Sequence, residues 1–162
     1  MTSRVAILIC AVAITACQLP SGREGLSSED LVAIRATTDR WISAVRAGKW
    51  DDAAATFTPD ATLWIAGVTY SGRAAIREFH ASMPPWNPTR ELHIDEVRGS
   101  GAIAYVVGHA TVVPDGSSTP VVVSRTLDIR VRQRDGTWLF ARDMVSPIPL
   151  PSSGPAPIQP GL

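Results

Sequence analysis

Cysteine is nearly absent from this chain of 162 residues: it occurs only at Cys10 and Cys17. Everything after position 17 must therefore hold together without disulfides. Neither sign of charge is in excess, since 15 basic residues balance 15 acidic ones. No Lys/Arg cluster or basic helical face interrupts that balance, so nucleic acid is not an expected partner. The apolar run near the start, Val5 to Ile14, is about 10 residues and too short to span a bilayer as a helix. Histidine is scarce as well. His80, His93 and His109 stand apart, with no His-x-His or i,i+4 pair, and make no metal site. Ser71 and Ser124 lack a nucleophile-elbow context, no internal repeat is found, and no cofactor is expected.

What is present begins with a leader. "MTSRVAILICAVAITACQLPSG" places one positive charge, Arg4, before the apolar run and small residues after it, which is the anatomy of a secretory signal. The stretch Ile14-Thr15-Ala16-Cys17 resembles the lipobox of bacterial lipoproteins. That resemblance implies a signal over residues 1–16, acylation of Cys17 as the new N-terminus and a tether over 17–27. It also implies an exported domain anchored in the cell envelope, in the outer membrane if the cell has one, because Gln18 rather than Asp follows the cysteine. At the other end, residues 147–162 carry proline at short intervals ("SPIPLPSSGPAPIQPGL" closes the chain) and read as an extended or disordered tail.

The periodicity between these ends predicts helices first and strands afterwards. Ser27 or Ser28 can cap a helix on which Leu31, Ile34, Thr38, Trp41, Ile42 and Val45 recur at three- and four-residue spacing, ended by Gly48. "KWDDAAATF" gives a short second helix with Asp51 and Asp52 in its first turn. "TPDATLWIAGVTYSG" reads as a turn and short hairpin. A third helix carries Ile76, Phe79, His80 and Met83 on one side before Pro84 and Pro85 stop it. Four segments alternating with period two then follow. The expected fold class is α+β over residues 28–146: three N-terminal helices packed on a strongly curved antiparallel sheet, a cone-like barrel with a central pocket. The outer sheet face would be left to solvent or to a second subunit.

The last hairpin decides which side chains such a pocket would hold. With Asp135-Gly136 as a two-residue turn, Val131 faces Phe140, Ile129 faces Arg142 and Leu127 faces Met144 on a buried side that includes Trp138. Arg130, Arg132, Leu139, Ala141 and the opposed pair Asp128 and Asp143 then lie outside, where like charges across a ladder need water or a bridge such as Arg130. A three-residue turn with a bulge matches hydrophobic residues less well. Arg142 on the inner side would need a carboxylate, carbonyls, water or an anionic ligand group. A bulge that turned it outward would remove that need.

Several segments in order, "LVAIRATTDRWISAVRAGKWDDAAATFTPDATLW", "YSGRAAIREFHASMP", "AYVVGHATVV" and "RVRQRDGTWLFARDMVS", resemble SnoaL-like members of the nuclear transport factor 2-like superfamily. The likeness implies a cone of bent sheet wrapped by three helices around a pocket. It also implies a range of functions, among them isomerases, dehydratases, cyclases and scaffolding domains, with aspartate, histidine or tyrosine as acid or base. Relatives often carry histidine near the end of the last strand, where this chain has Met144.

On these grounds His80, His109, Tyr105 and Asp60 are the candidate acids or bases, and Arg142, Trp41, Tyr70, Phe79, Phe140 and Met144 the candidate ligand contacts. His80 can equally be a satisfied edge histidine, and Asp60 a turn former. For the strand of Tyr105 and His109, either that face or the Ala104, Val106, Gly108 and Ala110 face can be the inner one. The reading favoured is a lipid-anchored domain that binds a small, largely apolar molecule with an acidic group read by Arg142. A proton-transfer enzyme and a dimerisation module pairing through the outer sheet face are the alternatives.

Overall fold

The computed structural model describes residues 25–149. The leader, Cys17, most of the tether and the tail from residue 150 lie outside the described residues. Three helices, α1 (Ser28–Arg46), α2 (Trp50–Ala55) and α3 (Gly72–Ser82), accompany six strands. The strands are β1 (Phe57–Ile65), β2 (Val68–Ser71), β3 (Glu91–Ser100), β4 (Ile103–Val112), β5 (Val121–Arg132) and β6 (Trp138–Pro147). They form one sheet in the order β2-β1-β6-β5-β4-β3, which leaves β2 and β3 as edges, so the cone is not closed. The class is α+β, as expected, with one exception to antiparallel pairing: β1 runs parallel to β6.

Local chemistry explains the helix ends. Ser27 caps α1 through a capping box in which its hydroxyl accepts from the Asp30 N–H and the Asp30 carboxylate accepts from the Ser27 N–H. Gly48, at φ +66°, lets the chain turn out of α1 at low cost. Asp30 is also tied to the sheet, accepting from Arg132 Nη1 at 3.0 Å and from Trp138 Nε1 at 3.3 Å. One buried carboxylate thus fixes both the start of α1 and its seat on β5 and β6. Further along, the Thr37 hydroxyl donates to the Trp138 carbonyl at 2.6 Å. Ile34 packs with Ala104, Val106 and Trp138, while Ile76 of α3 joins Phe57, Ala61, Leu63 and Phe140.

Two features of the β5–β6 hairpin correct the expected register. Its connection has three residues, Arg134 to Gly136, because Gln133 N–H donates to the Thr137 carbonyl and Gly136 takes the left-handed φ of +85° that such a loop requires. Arg132 therefore pairs with Trp138, Val131 with Leu139 and Arg130 with Phe140. A bulge at Ala141 then shifts the ladder by one, and Ile129 pairs with Arg142, Asp128 with Asp143 and Leu127 with Met144. The latter three pairs are those expected, but the faces are reversed. Phe140 and Ala141 are both buried, and after this doubled inward step the alternation resumes with Asp143 inside and Arg142 and Met144 outside. On β5, Asp128 and Arg130 are buried and Leu127 is exposed.

The choice on β4 is decided too: Ala104, Val106, Gly108 and Ala110 face inward, and Tyr105 and His109 lie on the outer side. At the C-terminal end, β6 includes Pro147, and the Ile148 N–H donates to the Val123 carbonyl at 2.8 Å. The first residues assigned to the tail thus continue the sheet.

Candidate functional site

Inside the cone, between α1, α3 and the inner sheet face, lies a cavity of about 130 Å³, close to the ~150 Å³ that admits a benzene-sized guest. Its walls are largely apolar and aromatic, including Trp41, Leu63, Phe79, Val106 and Phe140. Asp128, Arg130, Asp143 and His80 contribute at its most buried end, with residue exposures of 5%, 1%, 8% and 2%.

The carboxyl pair is the dominant electrostatic feature. Asp128 and Asp143 oppose each other across β5 and β6. Arg130 Nη2 bonds Asp128 Oδ2 at 2.8 Å while Nη1 donates to the Ile34 carbonyl at 2.9 Å. The guanidinium carbon lies 3.8 Å from the Phe140 ring centroid, which holds the charge over an aromatic face. One guanidinium cannot neutralise two buried carboxylates. Burial, then the Asp128 charge and the hydrogen bond with Asp128, push the Asp143 carboxyl well above the usual carboxylate range, against an opposing pull from Arg130. The Asp143 carboxyl is thus held toward its acid form beside Asp128, in an arrangement that can release a proton.

His80 is pushed from 6.5 to about 4 by burial and is neutral at physiological pH. Trp41 Nε1, which can only donate, bonds His80 Nε2 at 3.3 Å. The imidazole proton is therefore on Nδ1, an atom buried without a partner. In this tautomer the free nitrogen is a donor, which can polarise an oxygen but cannot accept a proton.

Eight buried side-chain polar atoms lack partners among the described residues, and seven belong to residues lining this cavity: Thr38, His80, Trp86, Arg90, Ser124, Arg130 and Asp143. Buried polar groups are ordinarily bonded. A concentration of orphans around one apolar space marks a place for water or a ligand. The nitrogens among them, His80 Nδ1, Arg130 Nε, Arg90 Nε and Trp86 Nε1, are all donors.

The remaining sequence candidates are distributed differently. Trp41, Phe79 and Phe140 line the cavity. Tyr70 packs on Phe79, with ring centroids 4.6 Å apart, and supports the wall from behind. Arg142 is exposed and donates to the carbonyls of Asp60 and Ala141 at 3.3 and 2.6 Å, because the Ala141 bulge rotates it away from the pocket. For the same reason Met144 is 52% exposed on the outer face. Asp60 is exposed, its carboxyl held below its ordinary value chiefly by the Thr58 hydroxyl. Tyr105 donates to Glu96 at 2.8 Å on the outer face. His109 borders the cavity but directs Nδ1 to Asp95 at 2.9 Å and stacks on His93 with centroids 4.7 Å apart. No group of three or more His, Cys, Asp or Glu side chains among the described residues is placed to hold a metal ion.

Sequence reasoning missed Asp128, Arg130 and Asp143 as pocket residues. The signal was present in the like-charge pair itself: two aspartates opposed across a ladder with an arginine two residues away are costly on a surface, but coherent where one of them is held toward its acid form.

A bent sheet wrapped by helices around an aromatic pocket with buried ionisable groups defines a cone-shaped α+β pocket protein. The chain belongs to the SnoaL-like domain family, whose match covers residues 27–142, a fold family that includes isomerases and cyclases. Among solved structures it is similar to a ketosteroid isomerase-like protein from Erwinia carotovora atroseptica SCRI1043, at 21% identity over 76% of this chain and 100% of that one, TM-score 0.62. A protein of unknown function with a cystatin-like fold from Nostoc punctiforme PCC 73102 is 15% identical over 76% and 95% of the two chains, TM-score 0.63. ActVI-ORFA from Streptomyces coelicolor is 18% identical over 72% and 96%, TM-score 0.56. No curated protein matches the chain.

Proposed function

We propose that the domain binds a small, largely apolar molecule carrying an oxygen acceptor and carries out proton transfer on it. The observation that supports this reading is the convergence of orphaned polar atoms, most of them donors, on one apolar cavity that contains two opposed aspartates, of which Asp143 is pushed toward its acid form. His80 Nδ1–H and the Arg130 Nε–H are available to polarise a carbonyl or hydroxyl oxygen. Asp143 gives or takes the proton, with Arg130 paired to the neighbouring Asp128. The reaction class that fits is isomerisation, dehydration or cyclisation through proton movement next to a carbonyl.

The test is deuterium exchange α to the carbonyl of 4-phenyl-2-butanone, followed by NMR in deuterated buffer. The wild type is expected to exceed the buffer rate, and Asp128→Asn and Asp143→Asn to lose that excess at least tenfold while remaining folded. Saturable binding without exchange leaves a binding protein only, and an absence of both overturns the reading.

The leader pattern supports export and attachment to the envelope through an acylated Cys17. Labelling with an alkyne palmitate analogue should mark the wild type and spare Cys17→Ser. A second reading, self-association, is favoured by the outer sheet face. There Leu127 and Met144, 44% and 52% exposed, pair with each other, and Val107 and Trp64 extend the row on either side. Sedimentation should then give a dimer that Leu127→Lys converts to monomer.

A further inference from the structure

The cavity is not uniform along its length. Its most buried end holds Asp128, Arg130, Asp143 and His80, whereas Met83, Trp86, Arg90 and His93 are only partly buried and mark the open end. Aromatic contacts join the two ends in order. Trp86 meets Trp41 edge to face at 5.8 Å between centroids, and Trp41 meets His80 at 5.7 Å. At the open end the Trp86 ring meets two guanidiniums, with Arg90 at 5.2 Å and Arg46 at 5.6 Å from its centroid. Arg46 is tied down by donating to the Arg90 carbonyl at 3.2 Å.

Arg90 is different. It has no carboxylate within ion-pair distance among the described residues, its Nε is buried without an acceptor, and burial lowers its affinity for its proton. Trp86 Nε1, also buried and unpartnered, can likewise only donate. The acidic residues of the cavity lining are Asp128 and Asp143, both at the far end and already engaged with each other and with Arg130. A partly desolvated guanidinium, held over an aromatic ring with no carboxylate paired to it among the described residues, suits a carboxylate brought by a ligand.

We propose that Arg90 and Trp86 form a carboxylate subsite at the mouth of the pocket, so that the ligand is an apolar acid whose neutral oxygen function reaches His80 and the carboxyl pair. This rests on the central cavity being the ligand site. The spacing sets the ligand's size: two ring-to-ring steps separate the rim tryptophan from the inner histidine, about the length of one aromatic ring with a short acidic side chain. It also transfers the acid-reading role expected of Arg142 to an arginine on the opposite side of the molecule's wall.

A matched pair of probes tests it: 3-(4-hydroxyphenyl)propionate and its methyl ester, titrated into the full chain by calorimetry at pH 7 and low salt. The acid is expected to bind the wild type at least tenfold more tightly than the ester. Arg90→Gln should erase that preference by lowering acid affinity to the level of the ester, which the variant still binds, and Arg90→Lys should restore part of it. Ester binding by the variant reports that the pocket is still formed, and the wild-type preference stands as a measurement if a variant fails to fold. Equal affinity of the wild type for acid and ester, or a preference that survives Arg90→Gln, overturns the carboxylate subsite and leaves the pocket reading in place. Binding of neither probe overturns both.

Discussion

Replacing Asp143 by asparagine should stabilise the protein, and increasingly so as pH rises. The Asp143 carboxyl is buried against Asp128 and raised well above 3.8 in the folded state, whereas in the unfolded chain it ionises normally. From about pH 4 upward the folded form therefore binds one more proton than the unfolded form. Stability falls with rising pH until the folded pKa is reached, at up to about 1.4 kcal/mol per pH unit for one proton. Asparagine is nearly isosteric, presents an N–H to Asp128 as the protonated carboxyl presents an O–H, and does not titrate. The variant's advantage should thus be small near pH 4.5, widen by about 1.4 kcal/mol per pH unit, and level off at the folded pKa of Asp143. Urea unfolding of both proteins from pH 4.5 to 8.5 measures the difference directly, and titrations common to both cancel. Parallel stability curves would show that Asp143 ionises like a surface carboxylate and would remove the raised carboxyl on which the proposed chemistry depends. Under that chemistry the same substitution abolishes turnover, so the stabilised variant should also be inactive.

Three further outcomes follow from the same geometry. His80, neutral in the fold with its pKa lowered from 6.5 to about 4, makes the protein lose about 3 kcal/mol as pH falls through that window, because only the unfolded chain takes up the proton. His80→Gln should flatten this part of the stability curve measured by urea unfolding. Arg130→Met leaves Asp128 buried without its cation and should cost about 3–5 kcal/mol at pH 7; combining it with Asp128→Asn should recover most of the loss. Gly108→Ala would place a Cβ 2.5 Å from the His93 carbonyl oxygen and 3.2 Å from Thr126 Oγ1. The β3–β4 ladder must then give way, at a cost of about 1–3 kcal/mol, seen as a lower Tm in thermal unfolding.

Sequence alone determined the local and the sequential features. A serine at 27 or 28 caps α1, Gly48 ends it, Pro84 and Pro85 follow α3, and period-two alternation marks β3 to β6, because each of these depends on residues a few positions apart. The order of those elements was enough to indicate a cone with a pocket, and the aromatic side chains Trp41, Phe79 and Phe140 lie at its wall. The pairing of Asp128 with Asp143 read from a two-residue turn is reached by another route, a three-residue turn whose extra residue is offset by the bulge at Ala141. Only the tertiary structure decided which way that pair faces. A strand has two faces related by a one-residue step, and the bulge at Ala141 takes that step directly after Trp138 is buried against α1 and Phe140 against β1. The partners that favour it, Ile34, Thr37 and Phe57, lie about eighty to a hundred residues away, out of reach of any local pattern. The same long-range packing sent Arg142 to the surface and Arg130 to the pocket floor. It also set Trp41 against His80, 39 positions apart, a contact that turns the histidine's free nitrogen into a donor.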